Sequence, residues 1–528
     1  MPLPTTDQEW PPPRMKPELR MYAQHGAWYG GDPDQLAKVY GGGVIPGVGL
    51  DLKGWDRPLT HGGGFLNRIS RWFWGTPIPA GQSRSTKLHV PIAADIAGTS
   101  GDLLFAEAPT LRVSGKTGNA RLETILEEGS VNAILLEGAE LCAAYGGVYL
   151  RVGWDTEMHK HPVVDVLPAD CAVPEFAKGR LKAVTFWRIL AEDHKDVWRH
   201  LERHEFGKVY HGLYRGDDEK LGMQVPLTDH PETAIFAEMV DADGGFDSGF
   251  PRGLLVEYVP NMRPHRLLRG TSLGRSDYAG VEALMDSLDE TMTSWMRDLR
   301  LGKGRIIVPE VYLTNTGRGR GSTWDPDREV YAPLGMLPPP GGSGASMITV
   351  SQFDIRVQEH QQTAKSLLAQ ILRGAGYSVQ SFGEAGEGAA ATATEIHSRE
   401  RRSFTTRGKK LNYWTPALAW LAECLLAVDA HIYGTKVVPE RARVEWPDGV
   451  MPDPEALSRT LDMLNRAQSA SLDTRVRMLH PEWEDTQVKA EVDRLRDELG
   501  LNVPDPDELR DVIVPEAHDD TSEPASTS

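Results

Sequence analysis

Apolar positions along this chain follow two rhythms, helical and strand-like, that alternate in long blocks. Leu122, Ile125, Leu126, Ile134, Leu141 and Cys142 recur at helical spacing and predict one long amphipathic helix over roughly 119–145. Gly146 and Gly147 stop it, as a left-handed cap does. Strand-like runs follow at 148–154, 162–167, 181–190, 207–215 and 254–259, before a turn at Pro260 and Asn261. Then Val281, Leu284, Leu288, Met292, Trp295 and Leu299 form a narrow seam at steps of 3, 4, 4, 3 and 4. This predicts a helix from Ser276 to Leu301, capped by Ser276 or Asp277 and stopped by Gly302. About 25 residues make a rod of roughly 37 Å.

Residues 303–350 return to short strands, Arg305–Val308 and Glu329–Ala332, among Gly- and Pro-rich turns. A second rod is predicted over 351–373, with Phe353, Val357, Ala364, Leu367, Leu368, Ile371 and Leu372 apolar. Two rods flanking a small insert are the main architectural signal. Glycines and small residues fill 374–391, and a third long helix is predicted over 392–433. Its second half carries Leu411, Trp414, Leu418, Leu421, Leu425, Val428 and Ile432, with a kink expected at Pro416. A strand near 441–446 and two or three helices within 453–500 complete the ordered pattern. The acidic, Pro/Ser/Thr-rich stretch 503–528 reads as a disordered tail.

The fold class is therefore α+β, and 528 residues imply two to four domains. No run of eighteen apolar residues exists, and Met1–Arg14 lacks a basic-then-apolar signal, so a soluble protein that stays in the cytoplasm and crosses no membrane is expected. Cys142, Cys171 and Cys424 lie far apart among apolar neighbours and read as buried small hydrophobes. A net charge of -18 argues against a protein that grips nucleic acid by neutralising phosphates. It is compatible with a conduit, where tight binding would stall transport.

Several motifs invite chemistry without completing it. Ser114-Gly115-Lys116-Thr117 precedes a helix, but Thr110 stands where a phosphate-binding loop needs its first glycine, so a surface turn is preferred. His159 and His161 have no second cluster to complete a metal site. Asp241, Asp243 and Asp247 lack the closing glutamate of a calcium loop, and turn chemistry accounts for them. Glu127 and Glu128 mark no pocket, and neither a nucleophile elbow nor a metalloprotease motif is present. No cofactor and no metal are expected. The basic run Arg399, Arg401, Arg402, Arg407, Lys409 and Lys410 reads by itself as a solvated helix face.

A set of ordered stretches resembles the portal proteins of long-tailed phages, of the Bacillus-phage and actinobacteriophage type. It begins with Trp28-Tyr29-Gly30-Gly31-Asp32, Leu36 and Tyr40, and continues with Leu88-His89-Val90-Pro91 and Asp102 to Pro109. The most specific match is Asn261, then Gly274-Arg275-Ser276-Asp277-Tyr278, then Leu284, Asp286, Leu288 and Asp289. The resemblance covers roughly residues 20–500.

It implies a non-enzymatic subunit of a closed ring of about twelve copies at one capsid vertex, assembled in the host cytoplasm, through which double-stranded DNA is packaged and ejected. The implied parts are an N-terminal arm 1–25, a wing 26–275, a stem helix 276–302, a clip 303–350, a second stem helix 351–373, a tunnel loop 374–391, further wing 392–449, a crown 450–502 and the tail 503–528. Gln380, Ser381, Phe382, Glu384 and Glu387 would line the channel, with Arg399, Arg402, Arg407, Lys409 and Lys410 near DNA or a neighbouring subunit. Arg318, Arg320 and Trp324 of the clip would dock the terminase large subunit and then a head-completion adaptor. Major capsid and scaffolding proteins are further implied partners. The alternative is a nucleotide-driven DNA-processing enzyme using the 114–117 turn.

Overall fold

A computed structural model describes residues 3–41, 44–45, 50–51, 87–193, 196–251, 253–301, 305–307, 349–351, 355–383, 393–447, 454–480, 483 and 485–500. Three helices come first, α1 (Lys16–Gly30), α2 (Pro33–Gly41) and α3 (Ile92–Phe105), followed by strand β1 (Thr110–Arg112). The single helix expected over 119–145 is two, α4 (Lys116–Glu128) and α5 (Val131–Tyr145). The break lies at Ser130, whose φ of 49° is left-handed and cannot continue a helix. Leu122 and Ile125 on one side and Leu135, Ala139 and Cys142 on the other enter the same core, so the apolar pattern runs on across the break.

Helix α5 ends as expected at Gly146, whose φ is 87° and whose N–H bonds the Cys142 carbonyl. Glycine is required there twice over. A Cβ would sit 2.8 Å from the backbone of Arg275 and Ser276, so the α5 cap and the chain before the first rod lie in direct backbone contact.

The strands are β2 (Gly147–Gly153), β3 (Val163–Pro168), β4 (Ala172–Ala177), β5 (Arg180–Asp193), β6 (Asp196–Glu205), β7 (Lys208–Gly216), β8 (Met223–Val225), β9 (Gly245–Asp247) and β10 (Val256–Pro260), with the short helix α6 (Pro231–Ala237) before β9. They form a three-stranded antiparallel sheet with β2 between β10 and β3, and a six-stranded antiparallel sheet ordered β8-β7-β6-β5-β4, with β9 also on β7. Strand β6 was not anticipated because its sequence is polar. Its polar side chains are answered: Arg199 donates to the Asp217 and Asp218 carbonyls at 2.6 and 3.1 Å, and Arg203 donates to Glu175 and Glu205, each at 2.8 Å.

The first rod is α7 (Glu282–Leu301) and the second is α8 (Val357–Ala375). Both begin six residues later than expected, so each is nearer 30 Å long at 1.5 Å per residue. Between them β11 (Arg305–Ile307) pairs antiparallel with β12 (Thr349–Ser351), Arg305 opposite Ser351. The rest of the insert, including Glu329–Ala332, lies outside the described residues. Helix α8 runs through Gly374 and stops at Gly376, whose φ is 99°.

Helix α9 (Ala393–Ile432) spans 40 residues and continues through Pro416. By length and composition its Glu400–Ile432 part could cross a membrane, but the most apolar part of it is mostly buried inside the protein. It is a core helix. After it, β13 (Arg443–Glu445) pairs with β1.

Up to β13, the described residues form three apolar cores. Trp414, Leu418, Leu421, Leu425 and Val428 of α9 pack on α4, α5 and β2. Trp10, Met15 and Leu19 pack on the six-stranded sheet. Trp28, Ile92 and Ile96 pack on the inner ends of the rods, where Val281, Met285, Leu288, Ile371 and Leu372 are buried. Cys142 and Cys424 are buried and Cys171 is half-buried; all are free thiols that burial pushes well above their usual range. Contacts divide the chain into two units at Gly449/Val450. The second unit holds α10 (Pro454–Arg466), α11 (Leu472–Leu479) and α12 (Asp485–Glu498), around Val476, Val488 and Val492.

Candidate functional site

The elements that the sequence set apart converge on one carboxylate. Asp277 is fully buried, and so is Lys410 on α9, whose Nζ reaches both Asp277 Oδ2 and the hydroxyl of Ser100 on α3. The Tyr377 hydroxyl, just past the end of α8, donates to Asp277 Oδ2 at 2.6 Å. Asn261 Nδ2 donates to Asp277 Oδ1 at 2.8 Å and to the Arg275 carbonyl at 3.0 Å. The Asp277 N–H and the Ser276 hydroxyl both donate to the Ala143 carbonyl, at 3.0 and 3.1 Å.

This explains why the first rod starts late. The Asp277 carboxylate is spent on long-range partners, and although Ser276 accepts from the Tyr278 N–H at 3.3 Å, Gly280 at a φ of 95° breaks that turn, so the helix begins beyond Gly280, whose N–H donates to Glu282 at 2.6 Å. Burial and the Asp277 charge together push the Tyr377 phenol far up, so it stays a donor. The joint therefore ties α3, α5, α7, α8 and α9 through one ion pair with its hydrogen bonds. What it can do is mechanical: a displacement of the segment after α8 is felt by Asp277 and so by the root of α7.

A second anchor lies two turns along α7. Asp289 accepts from the Val90 N–H and pairs with His89 Nδ1, each at 2.8 Å, while Leu88 N–H donates to Thr293 at 3.0 Å. Burial raises the Asp289 carboxyl, and His89 opposes the rise. Near the outer ends of the rods, Asp298 on α7 takes Arg356 Nη2 and His360 Nε2, each at 2.9 Å. His360 also stacks on Trp295 at 6.1 Å.

Of the expected channel residues, Gln380, Ser381 and Phe382 form a single 3-10 turn, Val379–Phe382, directly after α8. Ser381 bonds Ser403 on α9 at 2.8 Å, and Phe382 lies edge-on to Tyr377 at 6.2 Å. Glu384 and Glu387 fall outside the described residues, as do Arg318, Arg320 and Trp324 and the side chain of Arg399.

The basic run splits into different environments. Lys410 is in the joint. Arg407 donates to the Leu103 and Pro447 carbonyls at 2.6 and 2.8 Å. Arg402, though exposed, donates to the Arg373 carbonyl in the last turn of α8 at 2.6 Å, where a cation also suits the helix dipole. Lys409 faces solvent. Beside Ser381 and Arg407 opens a cleft of about 310 Å³ whose polar lining includes Asp102, Glu107 and Glu400.

Sequence reasoning read Lys410 as one charge of a solvated or DNA-facing run. The signal that could have placed it is the buried stripe Ser403, Thr406, Lys410, Trp414, Ala417 and Leu421, at steps of 3, 4, 4, 3 and 4. It continues the core seam backward through small polar residues.

The remaining motifs resolve into local structure. The Ser114 N–H donates to Glu440 at 3.2 Å and its hydroxyl bonds the same carboxylate, so an acid of the chain stands at the 114–117 turn. That placement repels a phosphate. His161 is buried against the Pro162 carbonyl, and Asp241 accepts from Asp243 and Gly245 N–H groups, each at 2.9 Å, as turn chemistry requires. Among the described residues no group of three or more His, Cys, Asp or Glu is placed to hold a metal.

Three solved structures are among those to which the chain is similar. They are described as "Neck of empty GTA particle computed with C6 symmetry" (13% identity, TM-score 0.40, 76% of this chain and 95% of that one), "Virion of native gene transfer agent (GTA) particle" (13%, 0.37, 76% and 95%) and "Neck of native GTA particle computed with C12 symmetry" (11%, 0.37, 76% and 89%). No curated protein matches the chain. The sequence model of the family described as "Phage portal protein, SPP1 Gp6-like" matches residues 82–503. With Asn261 and Asp277 of that signature in one buried joint at the root of paired rods and Asp289 in a second anchor, the chain belongs to this phage portal protein family.

Proposed function

We propose that the chain is one subunit of a ring, of about twelve copies, that forms the DNA channel at one vertex of a virion and is assembled in the host cytoplasm. The observation that carries this reading, within the family assignment, is how the two rods are built. Their inner ends are locked into the body by the Asp277 joint and the Asp289 anchor. Their outer halves keep apolar side chains in solvent: Met296 is 38%, Leu299 40% and Val357 42% exposed. Copies packed head-to-tail around an axis would cover them. Native mass spectrometry of the purified chain should show one closed species of about twelve copies. A stable monomer or dimer under all assembly conditions sinks the proposal.

Within the ring, α7 and α8 are the stem, residues 303–350 the clip, 26–275 with 392–449 the wing, and 450–502 the crown. Gln380, Ser381, Phe382, Glu384 and Glu387 line the channel, and no Lys or Arg occurs between Gly374 and Ala391, so contact with passing DNA there is steric and polar. The chain hydrolyses no ATP, and a separate terminase large subunit docks on the clip, followed by a head-completion adaptor. Arg318, Arg320 and Trp324 are the docking residues, since Arg and Trp bury large areas around a polar handle. Rings in which all three are replaced by alanine should stay closed but lose motor binding or tail attachment. Normal packaging and attachment would move the docking surface elsewhere. Rings shortened between Gly383 and Ala391 should likewise close yet package or retain DNA poorly, and normal packaging makes that segment a connector only.

A further inference from the structure

Between Pro260 and Ser276 the chain carries Arg263, Arg266, Arg269 and Arg275 and no acidic residue, although its net charge is -18. Several other arginines are answered within the fold: Arg121 by Asp429, Arg151 by Asp165 and Glu202, Arg203 by Glu175 and Glu205, Arg215 by Asp196. In this loop no guanidinium has an ion pair or hydrogen bond to another described residue, and Arg263 Nε and Arg275 Nε are buried without a partner. Arg266 and Arg269 are exposed. Burial lowers Arg275, and the neighbouring charge of Arg266 lowers it further. Asp277 pulls the other way on Arg275, but that carboxylate is already paired with Lys410, so an arriving anion would still relieve the repulsion between Arg266 and Arg275.

The loop is also fixed in shape. Asn261 N–H bonds the Gly146 carbonyl and Arg275 N–H bonds the Met262 carbonyl, each at 3.0 Å. The buried ring of His265 accepts from the Leu268 N–H at 3.0 Å. Gly270, next to Arg269, has a φ of 81° and open space where a Cβ would be, so another molecule can approach its backbone closely.

We propose that loop 261–275 is a contact site for the phosphodiester backbone of duplex DNA. This rests on the portal reading, which brings a DNA duplex to the ring. The chemistry favours phosphate over an acidic protein segment. No large apolar side chain is exposed in the loop, and a protein partner draws most of its affinity from such anchors. Phosphate contacts require only positioned cations and hydroxyls or N–H groups, and guanidinium matches phosphate in a two-point geometry.

The test uses the full chain, a short duplex of mixed sequence and fluorescence anisotropy between about 50 and 200 mM salt. Binding should be weak at physiological salt and measurable at low salt. R266A/R269A, which alters only exposed side chains, should lose roughly tenfold in low-salt affinity, with a plot of log K against log salt shallower by about two. R266K/R269K should restore most of the slope. An unchanged slope in R266A/R269A overturns the site. So does a chain that ignores duplex DNA but binds a synthetic peptide of residues 503–528 through these arginines. Native mass spectrometry on the same samples separates the two readings. Rings without Arg-dependent DNA binding overturn the loop alone, and Arg-dependent binding by a chain that never closes a ring overturns the portal reading alone.

Discussion

A Lys410→Met substitution should destabilise the chain by roughly 3–5 kcal/mol, because it leaves the carboxylate of Asp277 buried and without its cation. Lys410 and Asp277 are 1% exposed each. Asn261 and Tyr377 would still donate to Asp277, which is why the cost should fall short of isolating a bare charge. Asp277→Asn should be comparably damaging from the other side, stranding the Lys410 ammonium with Ser100 as its other partner. The double variant should recover part of the loss, since a neutral pair of similar volume avoids both desolvation costs. Thermal unfolding gives the size of the effect. Amide exchange at the roots of α7 and α8 shows whether it is local to the joint. Had Lys410 been one solvated charge of a basic run, its loss would change stability by about 0.5 kcal/mol or less. A measured change that small removes the joint as the anchor of the rods.

The same residue shows where sequence reasoning reached and where it stopped. The seam from Trp414 to Ile432 was legible because apolar side chains at alternating steps of 3 and 4 have one use, a core stripe. Its backward extension was not, because Ser403, Thr406 and Lys410 carry the stripe in polar form, and their partners lie far along the chain at Ser378, Gly376, Asp277 and Ser100. The start of α7 was misplaced for a related reason. Asp277 is a good local cap, but tertiary partners at Asn261 and Tyr377 claim it, and Gly280, with a φ of 95°, breaks the turn that Ser276 opens. The paired rods were found because their apolar periodicity is local. Strand β6 was missed because alternation of apolar and polar residues is the strand signal, and its polar side chains are paired across the sheet instead of solvated. Arg263, Arg266 and Arg269 of loop 261–275 lay inside the most specific motif and went unremarked, since only the fold shows that no described residue hydrogen-bonds or ion-pairs with their side chains.

The six-stranded sheet should fail first in acid, losing roughly 5 kcal/mol of support between neutrality and about pH 4.5. His200 on β6 and His211 on β7 are each 3% exposed. His200 Nε2 meets His211 Nδ1 at 3.0 Å, the rings are nearly parallel, and Phe236 of α6 stacks on His211 at 4.1 Å. A hydrogen bond between two imidazoles needs one facing nitrogen without its proton, so the stack is built for neutral rings. Burial lowers His200 to about 4 and His211 to about 3, from an ordinary 6.5. The charge of Glu202 pulls the other way, while Arg151 adds to the lowering of both and Arg188 to that of His200. Because both folded values lie below the unfolded one, the unfolded chain takes up two protons that the folded chain refuses. Stability is therefore intact above about pH 6.5 and falls below it by up to about 2.7 kcal/mol per pH unit. Glu202 acts in the same direction. Burial pushes its carboxyl up, but the His204 hydrogen bond and the Arg151 charge outweigh that and hold it well below the usual range. Its contribution is present above about pH 4.5 and is lost as pH falls further. Amide exchange across residues 196–216 should accelerate steeply from pH 6.5 downward, after correction for the intrinsic rate, ahead of the helices α4 and α5. Replacing both histidines by phenylalanine keeps the stacked rings, removes both titrating groups and should flatten that profile until Glu202 begins to protonate. A double variant whose acid profile matches the wild type would place the acid-sensitive element elsewhere in the chain.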